Sequence, residues 1–138
     1  MSSTRKIRVL IADDESHIRI LVRQLFIAMG ADVVAEASDG AEAVEAYEKE
    51  KPDITLLDVS MPRMDGVRAL KRIIGMAPGA FVVMLTSLTA MEVVNECMKS
   101  GASGYIRKDA TTAQIKKTIL DSWKDYLAAA KKQEEERG

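Results

Sequence analysis

The sequence has one cysteine, no long apolar run and no concentration of basic residues. Cys97 has no second cysteine to pair with, so an internal disulfide is excluded, and we expect a reducing compartment. The first apolar run, residues 9–12, is too short for the apolar segment of a secretory leader. Residues 18–29 are interrupted by Arg19 and Arg23 and do not form a membrane span. We therefore expect a cytoplasmic protein that does not bind a membrane.

The charges are nearly balanced. The chain has 20 Lys and Arg residues against 21 Asp and Glu residues, which gives a net charge of -1. Since there is no basic field to attract nucleic acid, we predict no direct nucleic-acid binding by this chain. A length of 138 residues with 47% hydrophobic and 30% charged residues fits one globular domain with a real core.

Short apolar runs alternate with stretches of helical periodicity. Such runs are typical of buried parallel strands. The runs that fit are residues 7–12, 33–37, 54–57, 81–85 and 105–106. Gly30 and Pro52 close the first two helices, Thr89 can cap the fourth, and Thr111 or Thr112 can cap the fifth. This (βα)5 order predicts an α/β fold, a doubly wound five-stranded parallel sheet with helices on both faces.

The end of the sequence differs in composition from the rest. After residue 127 it passes from small apolar residues to a run of lysines and glutamates. This pattern favours a polar helix extension or a frayed tail. We therefore place the domain at residues 1–127 and the extension or tail at residues 128–138.

Carboxylates follow two of the predicted strands at the point where each strand ends. Asp13 and Asp14 come directly after the first run, and Asp58 comes directly after the third. In open α/β sheets, ligand sites lie beyond the carboxyl ends of the strands. If these two strands are neighbours, three carboxylates converge, and a hard cation is needed to balance their charge. The pattern therefore predicts a cation site, with Asp58 placed to react.

Further polar residues follow the later strands in a fixed order. The set consists of Asp58, then Met61-Pro62 and Asp65-Gly66, then Thr86 after the fourth strand and Lys108 after the fifth. Together with the acids after the first strand, it resembles the receiver domain of two-component response regulators, of the chemotaxis-Y-like kind, over nearly the whole chain. The resemblance implies a flavodoxin-like fold with strand order 2-1-3-4-5.

The resemblance also implies a metal-dependent reaction at these acids. Asp58 would accept a phosphoryl group and become an acyl phosphate, with Mg2+ (or Mn2+) to cancel the repulsion between carboxylate and phosphate. Asp14 would bind the metal directly and Asp13 through water. Asp58 and the backbone carbonyl of Ser60 would complete the protein ligands.

Three further residues receive roles from the same resemblance. The Lys108 ammonium group and the Thr86 hydroxyl would each bind a phosphoryl oxygen. Tyr105 would change rotamer when Thr86 moves, and this would alter the surface of helix four, strand five and helix five. We expect phosphorylation of Asp58 to favour an inward Tyr105.

The partners follow from this role. The donor would be a phosphohistidine on a sensor histidine kinase or phosphotransfer protein, or a small acyl phosphate. The output would be binding of a downstream protein, or of an effector domain missing from this chain, and phosphorylation-dependent homodimerisation is left open.

The protein is not expected to be an enzyme, because it would assist only its own phosphorylation and dephosphorylation. Ser60 and Leu88 are expected to border the water path and to tune the acyl-phosphate lifetime.

One position departs from the usual receiver pattern. Asp109 follows Lys108, where receivers usually have a proline after a cis peptide. A cis bond before another residue costs about 2.5–4 kcal/mol, so a strained cis loop and a trans route are both open. The run Lys108-Asp109-Ala110 is similar to that of receivers joined to helix-turn-helix DNA-binding domains. The chain is therefore either a stand-alone receiver or a fragment of a longer regulator.

Three other functions fit the sequence less well. Flavin-binding electron carriers share the topology, but they need small hydroxyl and glycine residues where this chain has Asp13-Asp14-Glu15. A hydrolase that forms an aspartyl phosphate would have its nucleophile after the first strand and a substrate cap. A degenerate receiver that only binds partners would not need Thr86 and Lys108 beside a full set of acids. His17 is more simply explained as a surface residue and Cys97 as a packed one.

Overall fold

The computed structural model of the chain describes residues 5–87 and 91–137. Five strands and five helices alternate along it. The strands are β1 (Arg8–Ala12), β2 (Asp32–Ala37), β3 (Ile54–Asp58), β4 (Val82–Thr86) and β5 (Gly104–Arg107). The helices are α1 (Ser16–Ala28), α2 (Gly40–Glu50), α3 (Gly66–Met76), α4 (Met91–Lys99) and α5 (Thr112–Arg137). The strands start and stop within one residue of the predicted positions.

All five strands are parallel, and they pair in the order β2-β1-β3-β4-β5. This confirms the predicted doubly wound, flavodoxin-like sheet. The register aligns the ends of the central strands, with Ala12 beside Leu57, and Asp58 beside Leu85. We call this end of the sheet the carboxyl edge. The chain leaves β1 and β3 toward opposite faces of the sheet, which opens a crevice between these two strands.

Both faces of the sheet are covered by helices. Val9 and Ile11 of β1 pack with Phe26 and other apolar residues of α1 and α5. Leu10 points to the other face and packs with Leu70 and other residues of α2, α3 and α4. Successive strand residues point to opposite faces, so burial on both sides requires a continuous apolar run. This explains why the strands read as uninterrupted apolar segments in the sequence.

Side-chain caps and a glycine define the helix ends. Asp39 and Asp65 each accept a hydrogen bond from a backbone N–H in the first turn of α2 and α3. Gly30 follows α1 with φ +86°, a left-handed conformation that favours glycine. Before α5, the Thr111 hydroxyl accepts from the Gln114 N–H at 3.1 Å, and the Gln114 side chain accepts from the Thr111 N–H at 2.8 Å. Thr111 is therefore the cap of α5, one of the two predicted.

Helix α5 packs on the sheet through an aromatic cluster and then continues into solvent. The rings of Trp123 and Tyr126 lie 5.0 and 5.2 Å from that of Phe81, edge to face. The Tyr126 hydroxyl donates to the Gly79 carbonyl at 2.6 Å. Residues 128–136 are helical and exposed. The boundary that we predict between the domain and this extension stays a prediction. Within the described ranges, no helix is long and apolar enough to cross a membrane.

The opposite end of the sheet, which we call the amino edge, is held by ion pairs. Arg5 makes two hydrogen bonds to the Asp53 carboxylate, at 3.1 and 3.0 Å. Arg8 donates its backbone N–H to Asp53 at 2.9 Å and its guanidinium to Glu50 at 2.9 Å. Positive and negative groups are therefore matched at this edge.

Candidate functional site

Four of the predicted site residues lie together at the carboxyl edge. Asp13 directly follows β1, Asp58 ends β3, Thr86 ends β4, and Lys108 directly follows β5. Asp13 is fully buried, and Asp58 and Thr86 are each only 2% exposed. Burying such polar groups is costly unless they are paired, so this edge differs chemically from the rest of the core.

Asp13, Asp14 and Asp58 form a carboxylate cluster. One oxygen from each lies within 4.8 Å of the others; Asp13 and Asp58 are buried, and Asp14 is exposed. Asp13 Oδ1 accepts the Glu15 N–H at 2.8 Å. Among the described residues, the buried Asp13 Oδ2 has no hydrogen-bond donor, although Lys108 Nζ lies 3.0 Å away. Converging carboxylate oxygens with an unsatisfied buried acceptor fit a divalent cation that prefers oxygen ligands, such as Mg2+.

Lys108 is held by three carboxylates at once. Its Nζ lies 3.0 Å from Asp58 Oδ2, 3.2 Å from Asp13 Oδ1 and 2.8 Å from Glu15 Oε2. Burial alone would lower the pKa of Lys108, but hydrogen bonds to Glu15, Asp13 and Asp58 raise it above its usual value. The ammonium group therefore stays charged, and it contacts two of the three clustered carboxylates, Asp13 and Asp58.

Asp58 has a strongly altered proton affinity. Burial raises its pKa, the hydrogen bond from Lys108 lowers it, and the charge of Asp13 raises it again, so that the pKa moves from 3.8 to about 7. Burial therefore makes the ionised form of Asp58 less favourable than that of an exposed aspartate. A divalent cation among these oxygens favours the ionised carboxylate, which is the nucleophilic form.

The loop after β3 packs closely on Asp58. The Ser60 N–H donates to Asp58 Oδ1 at 3.2 Å. A Cβ at Gly66 would lie 1.8 Å from the Asp58 carbonyl oxygen, so only glycine permits this approach. The Gly66 N–H also donates to the Val59 carbonyl at 2.8 Å. In the sequence Gly66 stood out only as part of the receiver-like pattern, and the structure shows that it allows α3 to lie against the site.

The loop that carries Lys108 takes the trans route. The Lys108–Asp109 peptide is trans. The Lys108 N–H donates to the Thr86 carbonyl at 2.9 Å, which fixes the start of the loop to the end of β4. The Asp109 side chain points outward and pairs with Arg107 at 2.7 Å. Of the two routes left open by the sequence, the protein therefore uses the one without a cis bond.

Thr86 and Tyr105 differ in exposure. Thr86 is buried at the end of β4, whereas Tyr105 of β5 is 41% exposed. Tyr105 pairs in the sheet with Met84, two residues before Thr86. In this structure the Tyr105 ring therefore lies at the surface formed by α4, β5 and α5.

Five further residues, four of them covered by a prediction from the sequence, complete the description of the site and its surroundings. Leu88 and Thr89, expected to border the water path and to cap α4, lie outside the described residues. His17 is exposed and Cys97 is buried, as predicted. Sequence reasoning missed Glu15 as a partner of Lys108; a third acid directly after Asp13 and Asp14 was the available signal.

The fold and the site together define a class. This is a flavodoxin-like α/β protein whose ligand crevice, at the carboxyl edge between β1 and β3, is acidic and suited to an oxygen-preferring cation. The family model of the response regulator receiver domain matches residues 9–120. The chain therefore belongs to the response regulator receiver family of two-component signalling, and a phosphoacceptor role fits that family. Receiver domains bind Mg2+ at their acidic pocket and interact with kinases and downstream effectors.

Known relatives agree with this assignment. The chain is 35% identical to the chemotaxis protein CheY of Bacillus subtilis over 116 residues, which are 81% of this chain and 97% of that protein. It is 38% identical over 112 residues to the uncharacterized transcriptional regulatory protein YhcZ of B. subtilis, covering 80% of this chain and 52% of that one. A chain of the CheX–CheY–BeF3–Mg2+ complex from Borrelia burgdorferi matches with a TM-score of 0.82 and 31% identity, covering 85% of this chain and 89% of the other.

Proposed function

We propose that Asp58 is the phosphoacceptor of this receiver domain. The observation that carries the proposal is the convergence of Asp13, Asp14 and Asp58 within 4.8 Å, with Lys108 Nζ 3.0 Å from Asp58. An ionised Asp58 oxygen attacks phosphorus, the bond from phosphorus to the donor nitrogen breaks, and the released imidazole takes up a proton. The donor is a phosphohistidine on a sensor histidine kinase or phosphotransfer protein.

The residues proposed to hold Mg2+ (or Mn2+) are the three aspartates and the Ser60 carbonyl. When bound, the metal neutralises the charge that builds up between carboxylate and phosphoryl group. Asp13 and Asp58 are buried and fixed by hydrogen bonds, whereas Asp14 is exposed and free to adjust. Phosphoryl transfer depends mainly on positioning and charge neutralisation, so these residues need no strong general base beside them.

Lys108 and Thr86 are the proposed phosphoryl ligands. Lys108 already contacts Asp58 Oδ2 at 3.0 Å, so a short movement brings its ammonium group to a phosphoryl oxygen. Thr86 lies at the end of the neighbouring strand, and its carbonyl holds the Lys108 N–H at 2.9 Å. The two residues are therefore mechanically linked, and both respond to a group attached to Asp58.

The proposed output is a change in the surface of α4, β5 and α5. Tyr105 is 41% exposed on this surface, and we expect it to turn inward after phosphorylation as Thr86 moves toward the phosphoryl group. A structure with Mg2+ and beryllofluoride, compared with a metal-free structure, measures the Tyr105 rotamer directly. An unchanged, exposed Tyr105 in both would contradict this switch.

Partner binding is proposed to occur through the same surface. Several relatives are named as chemotaxis proteins, so a downstream protein is one proposed partner; an effector domain in a longer chain is the other. On α4, Val94 is 6% exposed and Met91 is 56% exposed, so Met91 is the better placed of the two for an interface. Light scattering with and without Mg2+ and beryllofluoride tests for homodimerisation.

We also propose a cytoplasmic location and no enzymatic activity beyond self-phosphorylation and dephosphorylation.

Radiolabelled acetyl phosphate tests the phosphoacceptor. The wild-type chain should incorporate label only with Mg2+ present, and Asp58→Asn should abolish incorporation. Asp125→Asn, a change of the same type at an exposed position of α5, is the matched control and should label like wild type. Undiminished labelling of Asp58→Asn would overturn the assignment.

A further inference from the structure

Arg63 has an uncommon backbone conformation in the loop between β3 and α3. Its φ is +64°, in the left-handed region that disfavours residues with a Cβ. Such a conformation persists where surrounding structure enforces it, and it is concentrated near functional sites. Ser60, the proposed carbonyl ligand of the metal, lies three residues earlier in the same loop.

The Arg63 side chain reaches across to a buried carboxylate. Its Nε donates to Asp39 Oδ2 at 2.8 Å, and its Nη2 donates to the same oxygen. Asp39 is only 1% exposed, and its other oxygen accepts the Glu42 N–H at 2.8 Å to cap α2. The hydrogen bonds from Glu42 and Arg63 hold the pKa of Asp39 below its usual value. Both carboxylate oxygens are therefore used, one for the helix and one for the loop.

A second contact beside the ion pair joins the same two segments. The Gly40 N–H donates to the Met64 carbonyl at 2.9 Å. A Cβ at Gly40 would lie 2.1 Å from that oxygen, so the approach is as close as backbones allow. The N-cap of α2 and its first residue, Asp39 and Gly40, thus hold two consecutive residues of the loop after Asp58.

We propose that the Arg63–Asp39 pair is a positioning element for the phosphorylation site. By anchoring the tip of the loop to the N-terminus of α2, it fixes the Ser60 backbone relative to Asp58 before metal binds. The inference rests on the proposed function, because it assigns Ser60 as a metal ligand. The contact with Asp39 gives the Arg63 side chain a role that glycine, which adopts this backbone without strain, does not supply.

Arg63→Gly is the decisive variant, since glycine adopts the same backbone without strain. We expect the dissociation constant for Mg2+, measured by calorimetry on the full chain, to rise about tenfold, the lower end of the effect of residues that orient metal ligands. The melting temperature of the metal-free protein should fall only modestly, because relief of the left-handed backbone at residue 63 offsets part of the loss of Asp39's partner. Loss of a positive charge would by itself strengthen Mg2+ binding, so weaker binding cannot come from charge alone.

Two further variants complete the experiment. Asp39→Asn keeps an oxygen to cap α2 but loses the ion pair, and it should weaken Mg2+ binding no further when combined with Arg63→Gly. Arg5→Gly removes the arginine of an ion pair at the amino edge and should leave the dissociation constant unchanged. Unchanged or tighter Mg2+ binding by Arg63→Gly would overturn the proposal.

Amide hydrogen exchange separates this inference from the proposed function. Residues 60–66 should exchange faster in Arg63→Gly than in wild type, without added metal. If the wild-type chain bound no Mg2+, the proposed function would fail. The amide hydrogen exchange of residues 60–66, measured without metal, would still test whether Arg63 anchors the loop. Equal exchange in this loop would refute that role.

Discussion

Replacing Asp58 with asparagine should stabilise the protein in the absence of divalent cations. The pKa of Asp58 is raised from 3.8 to about 7, chiefly by burial, so the folded state disfavours the carboxylate above neutral pH. At about 1.4 kcal/mol for each tenfold change in proton affinity, the penalty has a ceiling of about 4 kcal/mol. Asp14 and Glu15 beside the site are exposed, so solvent screens part of the charge, and we expect Asp58→Asn to gain about 2 kcal/mol at pH 8.

The gain depends on pH in a defined direction. Because the pKa of Asp58 is higher in the folded state than in the unfolded state, its contribution to stability is fully present below about pH 4 and is lost as the pH rises through about 7. Asparagine has no such proton to lose. The difference between the two proteins should therefore grow between about pH 4 and pH 7, and should be clearly smaller near pH 5 than near pH 8.

Urea unfolding with a chelator present, followed by circular dichroism at both pH values, measures this difference. Asp125→Asn is the control for loss of an exposed carboxylate and should follow wild type. Added Mg2+ should make wild type the more stable of the two proteins. It binds the carboxylate of Asp58 and therefore raises the unfolding free energy of wild type more than that of the variant. An equal difference in unfolding free energy at pH 5 and pH 8 would refute the electrostatic argument.

Three other predictions follow from the same edge of the sheet. Lys108→Met removes a cation that contacts Asp13 and Asp58, so calorimetry should show Mg2+ binding severalfold tighter and beryllofluoride binding weaker; weaker Mg2+ binding would contradict this competition. Glu15→Gln releases Lys108 from a 2.8 Å hydrogen bond, so phosphorylation by acetyl phosphate should become faster in a stopped-flow assay, and a slower rate would argue that Glu15 assists the lysine. Gly66→Ala places a Cβ 1.8 Å from the Asp58 carbonyl, so thermal unfolding should show a loss of about 2–3 kcal/mol, with Gly75→Ala, at an open position, as the control.

The strands of the sheet could be predicted because helices cover both of its faces. A strand that is buried on both sides appears in the sequence as a continuous apolar run. Strands such as Ile54–Asp58 have no polar residue facing water, so their apolar runs are continuous apart from the buried Thr55. The convergence of Asp13, Asp58, Thr86 and Lys108 also followed from topology, because the ends of parallel strands meet at one edge. Their assigned roles remain a proposal.

What the sequence could not predict depends on loop and side-chain conformation. The pairing of Asp39 with Arg63 leaves no pattern in the sequence, because it depends on a left-handed residue in another loop. The third contact of Lys108, with Glu15, depends on a rotamer choice at the start of α1. The exposed position of Tyr105 is likewise a rotamer state, and periodicity does not encode it.

The two edges of the sheet differ in how their charges are balanced, and this has a consequence for local unfolding. At the amino edge, Asp53 is matched by Arg5 and by the Arg8 backbone. At the carboxyl edge, the two buried acids Asp13 and Asp58 share one lysine, Lys108. Fluctuations that open the metal-free protein should therefore begin at the carboxyl edge. Metal binding should then suppress local opening at the carboxyl edge and slow amide hydrogen exchange there. Amide hydrogen exchange at the amino edge should stay nearly the same.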